Sequence, residues 1–221
     1  MGSVEGPNGQ HWVSIFNGKG TLLANGACID DGYTKNMVPE KGFTKVYSAI
    51  TNQTVRSVDS KEGTVSIDFT IRMKWQDPRI KTKFSDQDMA NGIIVLSDEA
   101  VAEIWIPDLY ILNRKSFDAK PHWAFLKSAN VLTTELHSFP DESRKKRTAA
   151  TIAITYEIKS TVYCRFEHSG YPMDHPMCKV RMGSSSHGAI FVLDKHDYNS
   201  KELIIDSSLD FDIFMTLFAN V

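Results

Sequence analysis

Two cysteines in the second half of the chain limit the folds that this sequence can adopt. Cys164 and Cys178 are separated by thirteen residues. A bridge between them would close a ring of about 15 residues, and in the chain-entropy model such a ring stabilises a fold by about 3 kcal/mol. Inside the ring, Tyr171-Pro172-Met173-Asp174 places an aromatic side chain, a rigid turn-former and a carboxylate just before the second cysteine. Two cysteines alone would fit any secreted disulfide hairpin, but the inner tetrapeptide at this offset makes coincidence a poor explanation.

Two short blocks precede the ring in the sequence. The first is Trp75-Gln76-Asp77-Pro78-Arg79, and the second is Ile104-Trp105-Ile106-Pro107-Asp108 followed by Asn113. In type and order, these blocks and the ring resemble the signature motifs of the Cys-loop receptors, the pentameric ligand-gated ion channels. The resemblance covers roughly residues 43–221.

The resemblance implies an extracellular ligand-binding domain with a Cys164–Cys178 disulfide. It also implies that the turn Asp59-Ser60-Lys61-Glu62, together with the disulfide loop, faces a pore domain and transmits the binding signal. The signature residues of the motifs are interpreted as structural rather than as ligand contacts, since buried tryptophans pack and strand-end charges satisfy backbone groups or each other. These residues are Trp75, Asp77, Arg79, Trp105, Pro107, Asp108, Tyr171, Pro172 and Asp174.

Alternation with a period of two dominates the chain between residues 65 and 217. The clearest run is Val65–Trp75, where apolar residues alternate with Ser66, Asp68, Thr70, Arg72 and Lys74. Residues 152–162 and 209–217 alternate in the same way, which predicts strands with one buried face. This pattern places Thr70, Ala153 and Thr155 on the solvent-facing side. Turn signals fall between the runs, at Lys61-Glu62-Gly63, Phe139-Pro140-Asp141, Met182-Gly183-Ser184 and Tyr198-Asn199-Ser200.

These patterns predict an all-β fold, an immunoglobulin-like β-sandwich of about ten strands with a short N-terminal helix. The helix is expected near Trp12, Ile15 and Phe16, which share one helical face. We expect a single domain over residues 1–221, with a helix and loop region at 1–42 and the sandwich at 43–221. Residues 17–42 are rich in glycine and turn-formers, and their pattern predicts no particular element.

Composition excludes several functions. The formal net charge is −2, so neither nucleic acid nor an anionic membrane surface is an expected partner. The one basic run, Arg144-Lys145-Lys146-Arg147, is expected at a solvated hairpin tip. Cys28 is left over if the other two cysteines pair, and is expected to be a buried or merely unpaired thiol.

No catalytic or metal-binding pattern is present. The seven histidines are scattered without His-x-x-x-His spacing, and neither a CxxC pair, a nucleophile elbow nor a phosphate-binding glycine loop occurs. We therefore predict a protein that is not an enzyme and that needs no metal or cofactor.

The resemblance also indicates where a ligand would bind. Relatives that recognise amine transmitters hold the ammonium group in an aromatic box between two subunits, through cation–π attraction worth about 1–2 kcal/mol per contact. By family position, three members of that box fall on Leu112, Ser185 and Thr70, none of which is aromatic. The site is expected either to be vestigial or to hold an amphipathic or largely apolar small molecule. Its other residues by position are Ala153, Thr155 and Tyr110.

Partners and localisation follow from the same resemblance. Identical or homologous subunits are expected to form a pentamer at the extracellular face of the plasma membrane. No apolar stretch of the ~20 residues that span a bilayer occurs, so the chain itself is expected to be soluble and the pore domain to be absent from it. A secreted soluble binding protein of the same fold, without a pore, is the alternative, and a purely structural adhesion module is a third.

Asn52-Gln53-Thr54 is an N-glycosylation sequon, which fits export but is common by chance.

Overall fold

The computed structural model of the protein describes residues 20–115, 124–133, 150–164, 177–183, 188–193 and 210–216. Within these ranges the structure is almost entirely β, with twelve strands and two six-residue helices. The all-β sandwich class predicted from the sequence is confirmed. About ten strands were expected, and five of the twelve observed strands are only two to four residues long. In chain order the elements are β1 (Thr21–Ala24), β2 (Ala27–Ile29), β3 (Thr44–Asp59), β4 (Thr64–Asp77), β5 (Lys81–Thr82), α1 (Asp86–Asn91), β6 (Ile93–Val95), α2 (Asp98–Glu103), β7 (Tyr110–Ile111), β8 (Ala124–Leu132), β9 (Ala150–Tyr163), β10 (Met177–Gly183), β11 (Ala189–Leu193) and β12 (Asp210–Thr216).

The strands form three sheets, one of six strands and two of three. The large sheet has the order β11-β3-β4-β9-β8-β6, and the smaller ones have the orders β12-β10-β7 and β1-β2-β5. In the first of these smaller sheets, β10 pairs antiparallel with β12 from Met177 opposite Thr216 to Gly183 opposite Asp210. Of the turn predicted at Met182-Gly183-Ser184, Met182 and Gly183 belong to β10 instead, and Ser184 lies outside the described residues. Met182 and Gly183 end β10, where β12 on one side and β7 on the other supply backbone partners that outweigh the weak strand preference of glycine.

Strand β4 has the two-faced pattern that its sequence predicts. Val65, Ile67, Phe69, Ile71 and Met73 are at most 3% exposed, whereas the intervening residues up to position 72 are partly exposed. The alternation ends at Lys74, which is buried together with Trp75. The apolar face of β4 is thus part of the core along most of its length.

Strand β9 follows its predicted pattern with one exception. Ile152, Ile154, Ile158 and Val162 are fully buried, as expected. The prediction that Ala153 faces solvent is wrong, because this residue is only 2% exposed. Strand β9 is flanked by β4 and β8, so this small residue has a neighbouring strand on each side.

The two helices are short and begin with side-chain caps. Ser85 caps α1, accepting a hydrogen bond from the Asp88 amide while the Asp88 carboxylate accepts one from the Ser85 amide. The helix ends at Gly92 with a φ of 76°, a left-handed conformation that glycine adopts without strain. Ser97 caps α2 by accepting a hydrogen bond from the Ala100 amide, and this helix is followed closely by Trp105. Neither helix is long enough to cross a bilayer.

The chain divides into two compact units. Among the described residues, the first comprises 20–44, 74–106, 128–133 and 150–153, and the second comprises the remainder. The first unit contains both motifs' tryptophans, and the second contains the disulfide. The predicted N-terminal helix and the basic run at 144–147 lie outside the described residues.

Candidate functional site

The Trp-x-Asp-x-Arg block forms a dense polar cluster in the first unit. The Asp77 carboxylate is 0% exposed and accepts hydrogen bonds from Arg79 Nε at 2.9 Å and from a second guanidinium nitrogen at 2.8 Å. Such a two-pronged, charge-assisted pair suits a buried carboxylate that water does not reach. Arg79 also donates to the backbone carbonyls of Thr34 and Met37, at 3.1 and 2.7 Å. The motif therefore fixes the loop between β2 and β3 to the end of β4.

Tyr33 completes this cluster, although no pattern in the sequence pointed to it. Its hydroxyl group donates to Asp77 at 2.9 Å and accepts from the Trp105 amide at 2.8 Å. The Arg79 guanidinium carbon lies 4.4 Å from the centre of the Tyr33 ring, in cation–π geometry. Burial raises the pKa of Tyr33 well above its ordinary value, and the nearby Asp77 carboxylate raises it further. Tyr33 thus remains neutral and links the two sequence motifs.

The two motif tryptophans are in contact with each other. The rings of Trp75 and Trp105 are 5.9 Å apart and inclined at 83°, an edge-to-face arrangement. Pro107 is buried and Asp108 is partly exposed. Through these ring contacts and hydrogen bonds, Trp75, Asp77, Arg79 and Trp105 contact other parts of the same chain.

The second unit brings together the disulfide and the turn predicted to act in signal coupling. Cys164 and Cys178 are bonded, with Cα atoms 5.1 Å apart, which confirms the predicted pair. Cys28 is free and buried, as expected. The backbone amide of Cys164 donates a 2.8 Å hydrogen bond to the carbonyl of Gly63, which ends the turn between β3 and β4.

The turn itself is organised by Asp59. One oxygen of its carboxylate accepts from the amides of Lys61 and Glu62, at 3.0 and 3.1 Å, which closes the turn locally. Ser60 is exposed. Glu62 forms an ion pair with Lys115, whose own amide donates to the Thr161 carbonyl at 2.8 Å. Of the predicted coupling residues, Glu62 therefore contacts the segment after β7, and the adjacent Gly63 contacts Cys164.

Asn113, the polar residue downstream of Asp108, joins strands of two sheets. Its amide nitrogen donates to the Tyr163 carbonyl of β9 at 2.8 Å, and its amide oxygen accepts from the Arg181 amide of β10 at 3.0 Å. The adjacent Leu112 amide donates to the Arg181 carbonyl at 2.8 Å. This side chain fixes the position of β7 and the residues that follow it.

The residues predicted to line a ligand pocket fall into separate groups. Tyr110 and Leu112 lie at the β7 edge with side chains 44% and 48% exposed. Thr70 and Thr155 are partly exposed, whereas Ala153 is buried and offers no side-chain surface. Ser185, like the inner tetrapeptide residues Tyr171, Pro172 and Asp174, lies outside the described residues.

Thr70 lines a cavity of about 520 Å³ in the second unit. Its other lining residues are Asn52, Thr54, Asp68, Phe69, Lys127 and Glu157. Glu157 is paired with Lys127 and, at 3.2 Å, with Lys159; hydrogen bonds from these two lysines lower the pKa of Glu157. Asp68 is paired with Arg56 at 2.8 Å. The cavity therefore carries charges of both signs. Among the described residues, no group of three or more His, Cys, Asp or Glu could hold a metal ion.

Comparison with known proteins identifies the class to which this fold and disulfide loop belong. The family model described as the neurotransmitter-gated ion-channel ligand binding domain matches residues 27–215. The chain belongs to this family, which consists of receptors rather than enzymes.

Individual relatives are more distant. The chain is 26% identical over 155 residues to the gamma-aminobutyric acid receptor subunit pi of Rattus norvegicus, covering 69% of this chain and 30% of the relative. It is 23% identical over 176 residues to the gamma-aminobutyric acid receptor subunit alpha-2 of Homo sapiens, covering 79% of this chain and 35% of the relative. The chain spans only about a third of the length of these relatives.

Proposed function

We propose that this chain is the extracellular ligand-binding domain of a pentameric ligand-gated ion channel, which couples ligand binding at subunit interfaces to pore opening. Membership of the ligand-binding domain family supports this proposal. The observation that carries it is the hydrogen bond from Cys164 to Gly63, because this bond joins the disulfide to the predicted coupling turn. The turn after β3 and the disulfide, which are far apart in the sequence, thus contact each other at the same end of β3, β4 and β9.

A short path along the chain and across one ion pair links the proposed ligand side to this turn. Leu112 is three residues from Lys115, and Lys115 is paired with Glu62. Asn113, between them, is held by strands β9 and β10. A displacement of β7 by a ligand is therefore transmitted to the turn through few and well-fixed groups.

The proposed ligand is an amphipathic or largely apolar molecule rather than a classical amine transmitter. One subunit would contribute Tyr110 and Leu112, with Ser185 by family position, and the neighbouring subunit would contribute Thr70 and Thr155. The half-exposed side chains of Tyr110 and Leu112 support this view, since they offer an apolar surface at the β7 edge. Ala153 is not included, because its side chain is buried.

The test uses the full-length gene. Its coding sequence after Val221 is read first, since apolar spans of ~20 residues indicate a channel and an immediate stop indicates a soluble binding protein. The protein is then expressed in oocytes, and membrane current is recorded while amine transmitters and amphipathic molecules are applied. We expect an amphipathic molecule to open the channel.

Variants of the Lys115–Glu62 pair test the coupling. Lys115→Gln and Glu62→Gln should each shift the ligand concentration for half-maximal current. The double variant should shift it no further than the single ones, because both remove the same interaction. Lys41→Gln, at an exposed loop position, is the control. Independent, additive shifts, or no current under any ligand, would contradict the proposal.

A further inference from the structure

Strand β6 is the last strand of the six-stranded sheet and has one open edge. Within the described residues it pairs with β8 alone. The Leu96 amide donates to the Ala129 carbonyl of β8 at 2.8 Å, and the Gly92 carbonyl accepts a hydrogen bond from the residue after β8 at 3.0 Å. Backbone groups of successive residues in an antiparallel strand point to opposite edges. The N–H and C=O groups of Ile93 and Val95 therefore point away from β8.

The side chains at this open edge are apolar and exposed. Ile93 and Val95 are 44% and 67% exposed, and Met89 of the adjoining helix α1 is 46% exposed. Ile94 between them is buried, so Ile93 and Val95 share the outer face of the sheet. Edge strands are commonly protected by charged side chains, proline or a bulge, and β6 contains none of these. Its edge is therefore suited to pairing with a further strand.

Acidic residues flank this edge strand on both sides in the sequence. Residues 84–106 contain five acidic residues and no lysine, arginine or histidine. Four of the five are exposed and form no ion pair among the described residues: Asp86 in α1, and Asp98, Glu99 and Glu103 in α2. The Lys35 ammonium group reaches only the last turn of α2, where it donates to the Ala102 carbonyl at 3.0 Å. The surroundings of β6 are thus negatively charged.

This charge distinguishes between two occupants of the edge. Pairing of β6 with β6 of a second copy would bring the acidic flanks of both copies together, and like charges repel. We infer that the open edge of β6 binds, as an added antiparallel strand, a peptide segment of another protein with apolar side chains at alternate positions and lysine or arginine at its ends. Residues i and i+2 of this segment exchange backbone hydrogen bonds with Ile93 and Val95, and their side chains lie beside these two residues.

Binding is measured with a synthetic probe, a fluorescent peptide in which valine alternates with threonine between two lysines at each end. Fluorescence anisotropy gives its affinity for the disulfide-bonded chain, and amide exchange followed by NMR locates it. We expect the amides of Ile93 and Val95 to exchange several-fold more slowly in the complex, while the amide of Ile94, which faces β8, changes little. Absence of binding, or binding that leaves both open amides unprotected, would overturn the inference.

Two variants test the edge itself. Val95→Lys places a positive charge against the lysine-flanked probe, and Val95→Pro removes one open amide without removing a hydrogen bond to β8. Each should weaken binding of the probe several-fold. Val58→Lys, at an exposed position of the other unit, is the control and should leave the affinity unchanged. Unchanged affinity in both Val95 variants would show that the probe binds elsewhere.

The charge preference is tested with a second peptide that has glutamate in place of each lysine. This peptide should bind several-fold more weakly, and added salt should weaken binding of the lysine peptide because it screens exposed charges. The double variant Asp98→Asn, Glu99→Gln should lower both the affinity for the lysine peptide and its dependence on salt. Equal affinities for the two peptides would contradict the choice of a basic partner.

Sedimentation of the chain alone tests the second copy as occupant. Protection of the Ile93 and Val95 amides should not depend on protein concentration. Protection that rises with concentration, together with dimers that Val95→Lys dissociates, would make this edge a contact between copies and overturn the inference. None of these measurements uses membrane current, so their failure would leave the proposed function untouched, and a channel without current would leave this inference untouched.

Discussion

The hydroxyl group of Tyr33 donates a hydrogen bond of 2.9 Å to the fully buried carboxylate of Asp77. The same oxygen accepts the backbone amide of Trp105, so one side chain contacts both sequence motifs of the first unit. Because Asp77 is out of contact with water, each of its hydrogen-bond donors must come from the chain.

Removing the hydroxyl group of Tyr33 should therefore destabilise the protein. We expect Tyr33→Phe to lower the free energy of unfolding by about 1–3 kcal/mol, since Asp77 and the Trp105 amide each lose a buried partner while the aromatic ring is retained. Denaturant unfolding measures the change. Tyr110→Phe, at a side chain that is 44% exposed, is the matched control and should leave stability unchanged. Equal stabilities for wild type and Tyr33→Phe would show that the hydroxyl group is dispensable.

The planar guanidinium group of Arg79 should not be replaceable by the ammonium group of lysine. Lysine cannot pair with Asp77 through two nitrogens while also reaching the carbonyls of Thr34 and Met37. In Arg79→Lys, amide hydrogen exchange at residues 33–37 should be faster than in the wild type. Arg56→Lys, at an ion pair whose arginine is 48% exposed, should change exchange little. Unaltered exchange at 33–37 in Arg79→Lys would contradict the role assigned to the guanidinium group.

Reduction of the disulfide should cost the second unit much of its stability. Replacing Cys164 and Cys178 together by alanine should lower the free energy of unfolding by about 3 kcal/mol, the value for a ring of this size. The measurement is denaturant unfolding of the variant and of the wild type with and without reductant. Cys28→Ser should respond to reductant as the wild type does. The prediction fails if reductant leaves the wild-type midpoint unchanged.

The thiol of Cys28 should be alkylated slowly, and the rate of alkylation should increase only at alkaline pH. Burial raises its pKa from 9.0 to about 11, although nearby Lys81 lowers it slightly. Since the folded state favours the neutral thiol, its contribution to stability is present below pH 9.0 and decreases as the pH rises towards about 11. Alkylation below pH 9 should be much slower than that of an exposed cysteine, such as Lys41→Cys in a Cys28→Ser background. An equal rate for the two thiols would contradict the burial argument.

The ligand pocket should discriminate against amines. Calorimetry on the assembled protein should show no tight binding of acetylcholine or serotonin, because Leu112 and Thr70 provide no aromatic face for a cation. An amphipathic molecule that binds should lose affinity in Leu112→Glu and retain it in Val95→Glu, where the exposed residue belongs to the first unit. Micromolar binding of a quaternary amine that Leu112→Glu abolishes would contradict the prediction.

Long alternating runs made the major strands predictable from the sequence. Strands β4 and β9 each contain many consecutive positions of a period-two pattern, so one irregular position does not change the prediction of a strand. The misplacement of Ala153 and of the turn at Gly183 arose where neighbouring strands determine the outcome. Burial of a small residue and inclusion of a glycine at the end of a strand depend on those neighbours, and a single sequence does not show them.

The helices were missed for a different reason. Each is six residues long, too short for a helical period to be recognised. The signal that was available is the cap, since Ser85 followed by Asp88 is a recognisable helix start.

The candidate site was predictable only where motifs named its residues. Asp77 and Arg79 belong to a motif, but Tyr33 lies 44 residues before Asp77 in a segment without periodicity. Its role depends on a long-range contact that no local pattern encodes. The contact between Gly63 and Cys164 is of the same kind.

Asn113 connects β9 to β10 through an amide whose two ends are not equivalent. The nitrogen end contacts a carbonyl oxygen and the oxygen end contacts an N–H group. Aspartate has nearly the same shape, but it would place an oxygen against the Tyr163 carbonyl and repel it. Loss of ammonia from this one amide, as proteins undergo on ageing, would therefore loosen the junction of two sheets without removing a single carbon atom.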